Sequence, residues 1–325
     1  MERIAGEELR SIHDRWRAAS GEYGNHLANH LPMALAALAA IGASPARLKG
    51  FAERYTATHA LRPAAAAELS CRAEFRRRLA ADGRAAVLAA ELPSLLPGAA
   101  ASAFHAAIRT AYATERDDDD ELAAALAFWS QSYLPLVAPA RSAGPFTGVD
   151  AALARLRGIA AGPDGSGLIF RRMELVVADP AFARRLVTAP PATELPALAV
   201  ATADVFGATR DFVALHAMTA THALRVLLPW VPDPDAGMAA FWPAFAAAYV
   251  VAGAPAPADP PERAARRARA PARWDEVLAA ALASDDDHVI KAVFTAWMQE
   301  RAYGERLFRW AAARYAMPGD VLPAR

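Results

Sequence analysis

A single cysteine, Cys71, stands in the 325-residue chain. It excludes an intrachain disulfide and a thiolate zinc site, and it fits a reducing cytoplasm. Lysine is almost as scarce. Of 35 basic residues, 33 are arginine, and the two lysines are Lys49 and Lys291. An excess of either charge is lacking, since 35 acidic residues balance the 35 basic ones. That removes the electrostatic footprint expected of a nucleic-acid binder. The first residues, Met-Glu-Arg-Ile-Ala-Gly-Glu-Glu, lack the apolar core of a signal peptide. No Gly-x-Gly-x-x-Gly fingerprint and no nucleophile elbow occur, so neither Rossmann binding nor Ser-His-Asp or Cys-His catalysis is indicated.

Strongly apolar long runs are also missing. The stretch 122–140 contains Ser130, Gln131, Ser132 and Pro135, and the stretch 236–258 contains Pro243 and two glycines. Both depend on alanine, which contributes little transfer energy, whereas a membrane-spanning helix needs roughly 20 strongly apolar residues. They read as buried helices, with no membrane partner.

What is present is helical periodicity without alternating strand patterns. The expected class is all-α, an irregular multi-helix domain over residues 1–325 with its site between helices. Its two halves would be 1–140 and 148–325. Helices are expected near 5–18, from Asn25 onward, and over 47–58, 65–81, 84–92, 99–114 and 121–134. The second half adds 150–160, 167–177, 179–187, 195–206, 209–228, 238–251, 274–283, 285–301 and 303–316. Breakers include Gly83, Pro139 and the turn at 162–165. The Pro/Ala/Arg-rich stretch 254–273 reads as a mobile surface loop. The acidic runs 117–120 and 285–287 precede helices, where carboxylates cap free amides and complement the helix dipole.

Eight histidines are spread along the chain: His13, His26, His30, His59, His105, His216, His222 and His288. His26 and His30, four apart, would share one helix face. His105 sits in an apolar helix with Arg109 and Tyr112 on its face. His216 and His222 are six apart, about 120° around a helix, so they need not meet one ligand. His288 and Lys291, three apart, share a face. A lone histidine in an apolar helix is most often a hydrogen-bonded core residue. Recurrence on four apolar helices favours a shared ligand, because each buried imidazole otherwise needs its own polar partner.

Lys291 is followed by Ala292, Val293 and Phe294 in a chain that otherwise uses arginine. A desolvated lysine can shed its proton, which arginine cannot. The neutral amine can add carbon dioxide and become an anionic oxygen donor. The plainer alternative is a stem packed on the core with its ammonium in water, and spacing by itself favours that alternative.

Five blocks in order carry a resemblance. They are Asn25-His-x-x-Asn-His-Leu-Pro-Met-Ala-Leu, His105-x-x-Ile-Arg-Thr-Ala-Tyr, Ala127-Phe-Trp-Ser-Gln-Ser-Tyr-Leu, Leu215-His-Ala-Met-Thr-x-x-His-Ala-Leu-Arg and His288-Val-Ile-Lys. Together the chain resembles the questin oxidase-like family. The resemblance implies an oxidoreductase of the kind that opens anthraquinone rings by Baeyer–Villiger-type oxidation or oxygenation. It also implies non-haem iron, Fe(II), held by histidines and a carboxylated lysine, with a link to NADPH. Carried over by motif, the metal ligands would be His30, His105, His216, His288 and Lys291, with His26 and His222 as reserves. The partners would be an aromatic substrate and dioxygen. Arg109 and Arg225 would anchor phenolate or carboxylate groups, with Tyr112 beside them, or else form structural ion pairs. Trp129 and Tyr133 would stack on a flat substrate or belong to the core. A zinc or manganese hydrolase with a carbamylated lysine, and a non-catalytic helical ligand-binding protein, are the alternatives.

Overall fold

The architecture follows from a chain whose apolar faces recur at helical spacing and whose breaks carry capping residues. The computed structural model describes residues 11–12, 14, 16–136, 142–161 and 167–317. Among these it is all-α, with fifteen α-helices and one two-stranded hairpin. The expected first helix at 5–18 lies largely outside the described residues. Also outside are His13, Pro139 and the turn at 162–165.

The helices are α1 (Leu31–Ala40), α2 (Pro45–Thr58), α3 (Ala66–Leu95), α4 (His105–Glu115), α5 (Asp119–Ser132), α6 (Val149–Arg155), α7 (Ile169–Ala178) and α8 (Pro180–Ala183). They continue with α9 (Leu195–Thr209), α10 (Phe212–Leu227), α11 (Pro234–Val251), α12 (Pro260–Arg269), α13 (Asp275–Ala283), α14 (Asp287–Tyr303) and α15 (Leu307–Ala316). Side-chain caps set many of the starts. Asp118, Asp211, Asp233, Asp259 and Asp286 each accept a bond from a backbone N–H in the first turn of the helix they open. Such a cap is worth about 1 kcal/mol.

The centre of the molecule is α10, buried on nearly all sides, with only Phe212 and Arg225 escaping burial. It packs against α4, α9, α11 and α14, while α14 also packs against α1 and α15. A stretch containing it, Phe212–Trp230, is long and apolar enough to cross a membrane, with 19 residues and a mean hydropathy of 1.2, and 83% of it is buried inside the molecule. A helix surrounded by other helices needs this composition for its own core packing.

Several local expectations are corrected. Asn25–His30 is not helical. Glu22–Tyr23 (β1) pairs antiparallel with Leu27–Ala28 (β2), and Gly24 and His26 take left-handed conformations in the turn between them. The helix begins only at Leu31, with Pro32 in its first turn. There the missing N–H of proline costs nothing, so His26 and His30 do not share a helix face. The expected break between 65–81 and 84–92 is borne out, because α3 is two helical stretches divided at Gly83, whose φ of 80° and ψ of 160° leave the helical path. The stretch 254–273 contains α12, and three of the arginines in that helix are committed to ion pairs. Arg263 pairs with Asp150 at 2.7 Å, Arg266 with Asp204 at 2.6 Å and Arg267 with Glu305 at 2.8 Å.

Candidate metal centre

Four imidazoles from four separate elements meet in one place. His30 is the residue preceding α1, and its backbone N–H donates to the Tyr55 hydroxyl at 3.0 Å. His105 opens α4, His216 lies one turn into α10, and His288 lies in the first turn of α14. The rings of His30 and His105 are 4.3 Å apart and stacked. His30 and His288 are 4.8 Å apart, His105 and His216 are 4.8 Å apart, and His216 and His288 are 5.9 Å apart. Phe212 contacts the last two, at 4.6 Å from His216 and 4.8 Å from His288.

Each ring is anchored through the same nitrogen. His105 Nδ1 donates to the Ser102 carbonyl at 2.5 Å, and His216 Nδ1 donates to the Phe212 carbonyl at 2.6 Å. His30 Nδ1 and His288 Nδ1 both reach the Asp287 carboxylate, the first at Oδ2 and the second at Oδ1, 2.8 Å away. A proton on Nδ1 leaves Nε2 as the lone-pair nitrogen in all four rings. The Nε2 atoms of His105 and His288 are buried and have no hydrogen-bond partner. Unsatisfied buried nitrogens of this kind fit a metal ion, as does a histidine oriented from behind through its other nitrogen.

The backbone before His105 is distorted to make this possible. Ser102, Ala103 and Phe104 have φ of 46°, 55° and 69°. Three consecutive non-glycine residues in the left-handed region cost roughly 1–2 kcal/mol each, and such strain concentrates at functional sites. This turn delivers the Ser102 carbonyl to His105, whereas the apolar periodicity of 99–114 predicts an uninterrupted helix.

Burial governs the charges. His30 is pushed down to about 4, first by burial and then by the Lys291 charge, against the opposing pull of Asp287. Burial also holds His105 and His216 well below the ordinary imidazole value, with neighbouring charges adding to the effect. Lys291 is buried and lowered to about 8 by desolvation, which Asp287 and Asp286 partly oppose. Burial works to raise the Asp287 carboxyl, but His30, Lys291 and the bonds from both imidazoles hold it far below the carboxylate range. At neutral pH His30, His105 and His216 are therefore neutral beside one buried carboxylate, with an amine poised to lose its proton.

The rings line a cavity of about 240 Å³, whose wall includes Tyr23, Phe170, Phe212 and Ile169 along with His26 and His59. A neighbouring cavity of about 360 Å³ shares His26, Ser102 and Phe170 with it and extends past Gln131 and Tyr133.

The other expected residues fall elsewhere. His26 is exposed, bonds Glu22 at 3.3 Å and lies at the junction of the two cavities. His222 is buried 3.1 Å from Glu115, which also takes a bond from Arg225 at 2.7 Å. Arg109 forms a buried pair with Glu121 at 2.5 Å, and Tyr112 bonds Thr295 at 2.9 Å. None of Arg109, Tyr112, His222 and Arg225 lines the histidine cavity. Trp129 is core and donates to the Gly98 carbonyl, while Tyr133 is 40% exposed in the neighbouring cavity. Lys291 is not a wall residue, but its charge acts on His30, His105 and His216. Asp287 escaped sequence reasoning because an acidic residue at a helix start is ordinarily a solvated cap. Its place one residue before His288 and four before Lys291 was the available signal.

Residues 192–296 match the family model described as Questin oxidase-like, the family that the sequence blocks resemble. The matched stretch contains His216, Asp287, His288 and Lys291, while His30 and His105 lie outside it. No curated protein matches the chain.

Proposed function

We propose, on the premise that residues 192–296 carry a questin oxidase-like sequence, that this protein is a metal-dependent oxidase. Its substrate would be a polycyclic aromatic or quinone-type molecule, and Fe(II) would be the ion. The family's name supports oxidase activity on aromatic substrates. The observation that carries the finer reading is the common anchoring of His30, His105, His216 and His288 through Nδ1, with buried partnerless Nε2 atoms on two of them.

In this reading the four Nε2 atoms and the Lys291 side chain would hold the ion. The lysine contributes as a carbamate. Its neutral amine attacks carbon dioxide, a C–N bond forms, and one proton leaves to solvent. Burial lowers the amine to about 8, so a useful fraction is neutral near physiological pH. A ferrous ion supplies the one-electron chemistry that triplet dioxygen requires to react with a closed-shell aromatic. Phe212, Phe170 and Tyr23 provide flat apolar walls for a ring system, and Phe212 shields the His216 and His288 edges from water. The adjoining cavity past Phe170 gives room for further fused rings. No dinucleotide fingerprint accompanies the site, so NADPH enters only through the family resemblance, as an external reductant when one oxygen atom leaves as water. The single cysteine accords with a cytoplasmic setting.

The test is elemental analysis of the purified protein, followed by oxygen uptake with a hydroxyanthraquinone, with and without bicarbonate. Iron near one per chain and substrate-dependent uptake are expected. Zinc with no oxygen consumption would instead favour a hydrolase, and metal-free protein that binds the aromatic would favour a ligand carrier.

A further inference from the structure

The acidic run Asp285–Asp287 divides into unlike parts. The side chains of Asp285 and Asp286 are 57% and 55% exposed, whereas that of Asp287 is only 12% exposed. Asp286 performs the capping task by accepting the His288 backbone N–H at 2.8 Å, and the same oxygen lies at a longer 3.5 Å from His288 Nδ1. Asp285 meets Arg54 at 2.9 Å on the surface. Asp287 is thus free of both roles and turned inward, where each of its oxygens takes a different imidazole.

The geometry points to Asp287 as the positioning residue of the centre, one carboxylate that fixes the orientation and tautomer of His30 and His288 together. The two rings come from opposite ends of the chain, and neither has a backbone carbonyl on its Nδ1. His105 and His216 do, from Ser102 and Phe212. A carbonyl accepts a hydrogen bond but never donates one, so it selects the Nδ1–H tautomer. A carboxylate with two oxygens performs the same selection for two rings at once. It also supplies the negative charge that strengthens both imidazoles as donors of an Nε2 lone pair. The partnerless buried Nε2 of His288 shows where that lone pair is left. This inference rests on reading the ring cluster as a metal centre, but the orienting contact itself requires no ion.

That separation defines the test. The full-length chain, ¹⁵N-labelled at histidine and stripped with a chelator, is compared with Asp287→Asn and Asp287→Ala by long-range nitrogen–proton NMR. In the parent protein, His30 and His288 are expected as Nδ1–H with bare Nε2. In Asp287→Ala His30 loses that preference and His288 is left only the longer contact of 3.5 Å to Asp286, which Asp286→Ala in the same chain removes, while His105 and His216 keep theirs as internal controls. In Asp287→Asn, whose amide has one accepting oxygen, a single ring keeps it. Cobalt or iron affinity, read by competition with a chelating dye, falls about 10–100-fold in both variants.

An Nε2–H tautomer on His30 or His288 of the parent chain overturns the proposal before any variant is made. Unchanged tautomers with lost metal also overturn it, because Asp287 would then be a direct ligand. The expected tautomer response in a chain that binds no metal upholds the orienting role and sinks the metal reading instead. Helical circular dichroism on each variant confirms that the fold survives.

Discussion

The imidazoles of His30 and His105 stack with centroids 4.3 Å apart and planes 23° from parallel. Two imidazolium cations at that separation, buried and beside Lys291, would repel strongly. Burial alone already lowers each of them, so both rings are neutral at neutral pH, and this has a consequence in acid. The folded-state value of His30 is about 4 against an ordinary 6.5, so on acidification the unfolded chain takes up the proton first. Stability is fully present above about 6.5 and is lost as pH falls towards about 4. This ring alone accounts for roughly 3 kcal/mol. The melting temperature of metal-free protein should drop steadily through that window, and a flat profile would show the rings to be charged or solvated.

Lys291 should separate stability from function. Its folded-state value of about 8, against 10.5, means that an ammonium at this position costs folding free energy below pH 8. That cost fades as pH rises from about 8 towards 10.5. Lys291→Met is expected to leave the metal-free protein as stable or more stable, by up to about 3 kcal/mol, while metal content falls at least tenfold. Lys291→Arg should destabilise, because a guanidinium cannot shed its proton. In bicarbonate, metal loading of the parent chain should climb between pH 6 and 8 and level off above. Melting curves and metal-to-protein ratios decide both points.

The left-handed turn before α4 offers a test of strain. Ala103→Gly removes a Cβ from a residue with φ of 55°. It should be neutral or stabilising by up to about 1 kcal/mol. Ala106→Gly, one turn later inside α4, should cost about 1 kcal/mol or more. Equal losses at both sites in urea unfolding would show the turn to be unstrained.

Arg109 is predicted to matter for folding and not for substrate. It lies in a buried pair with Glu121, so Arg109→Ala strands a carboxylate in the interior. The expected loss is about 3–5 kcal/mol. The KM for an aromatic substrate should hold in whatever protein remains folded. A raised KM at unchanged melting temperature would restore the anchoring role that its place beside His105 suggests.

The helical class was legible because apolar residues recur at helical spacing in nearly every segment, and because the caps before α5, α10, α11 and α14 are acidic residues with short side chains. The candidate ligands were legible for a related reason: histidine in an alanine-rich, apolar helix has few uses. The family match over residues 192–296 accords with the fourth and fifth sequence blocks. What escaped was backbone geometry. Nothing in Ala101-Ser-Ala-Phe-His announces three left-handed residues, since alanine and phenylalanine disfavour them and only tertiary packing imposes them. The Asn25–His30 stretch has helix-compatible spacing, and the Gly24–His26 turn overrode it. Asp287 looked like its two exposed neighbours until burial distinguished it. The arginines of 263–267 looked like a solvated loop because their acidic partners, Asp150, Asp204 and Glu305, lie far away in sequence.

Asp287 ties His30 to His288, one near the beginning of the chain and the other close to its end. During synthesis the ribosome releases three of the imidazoles long before the fourth emerges with its carboxylate and its amine. A nascent chain therefore carries an unlocked, open set of nitrogens until α14 emerges. Completion of the pocket is timed by the arrival of α14, which brings the fourth imidazole, its carboxylate and the amine together.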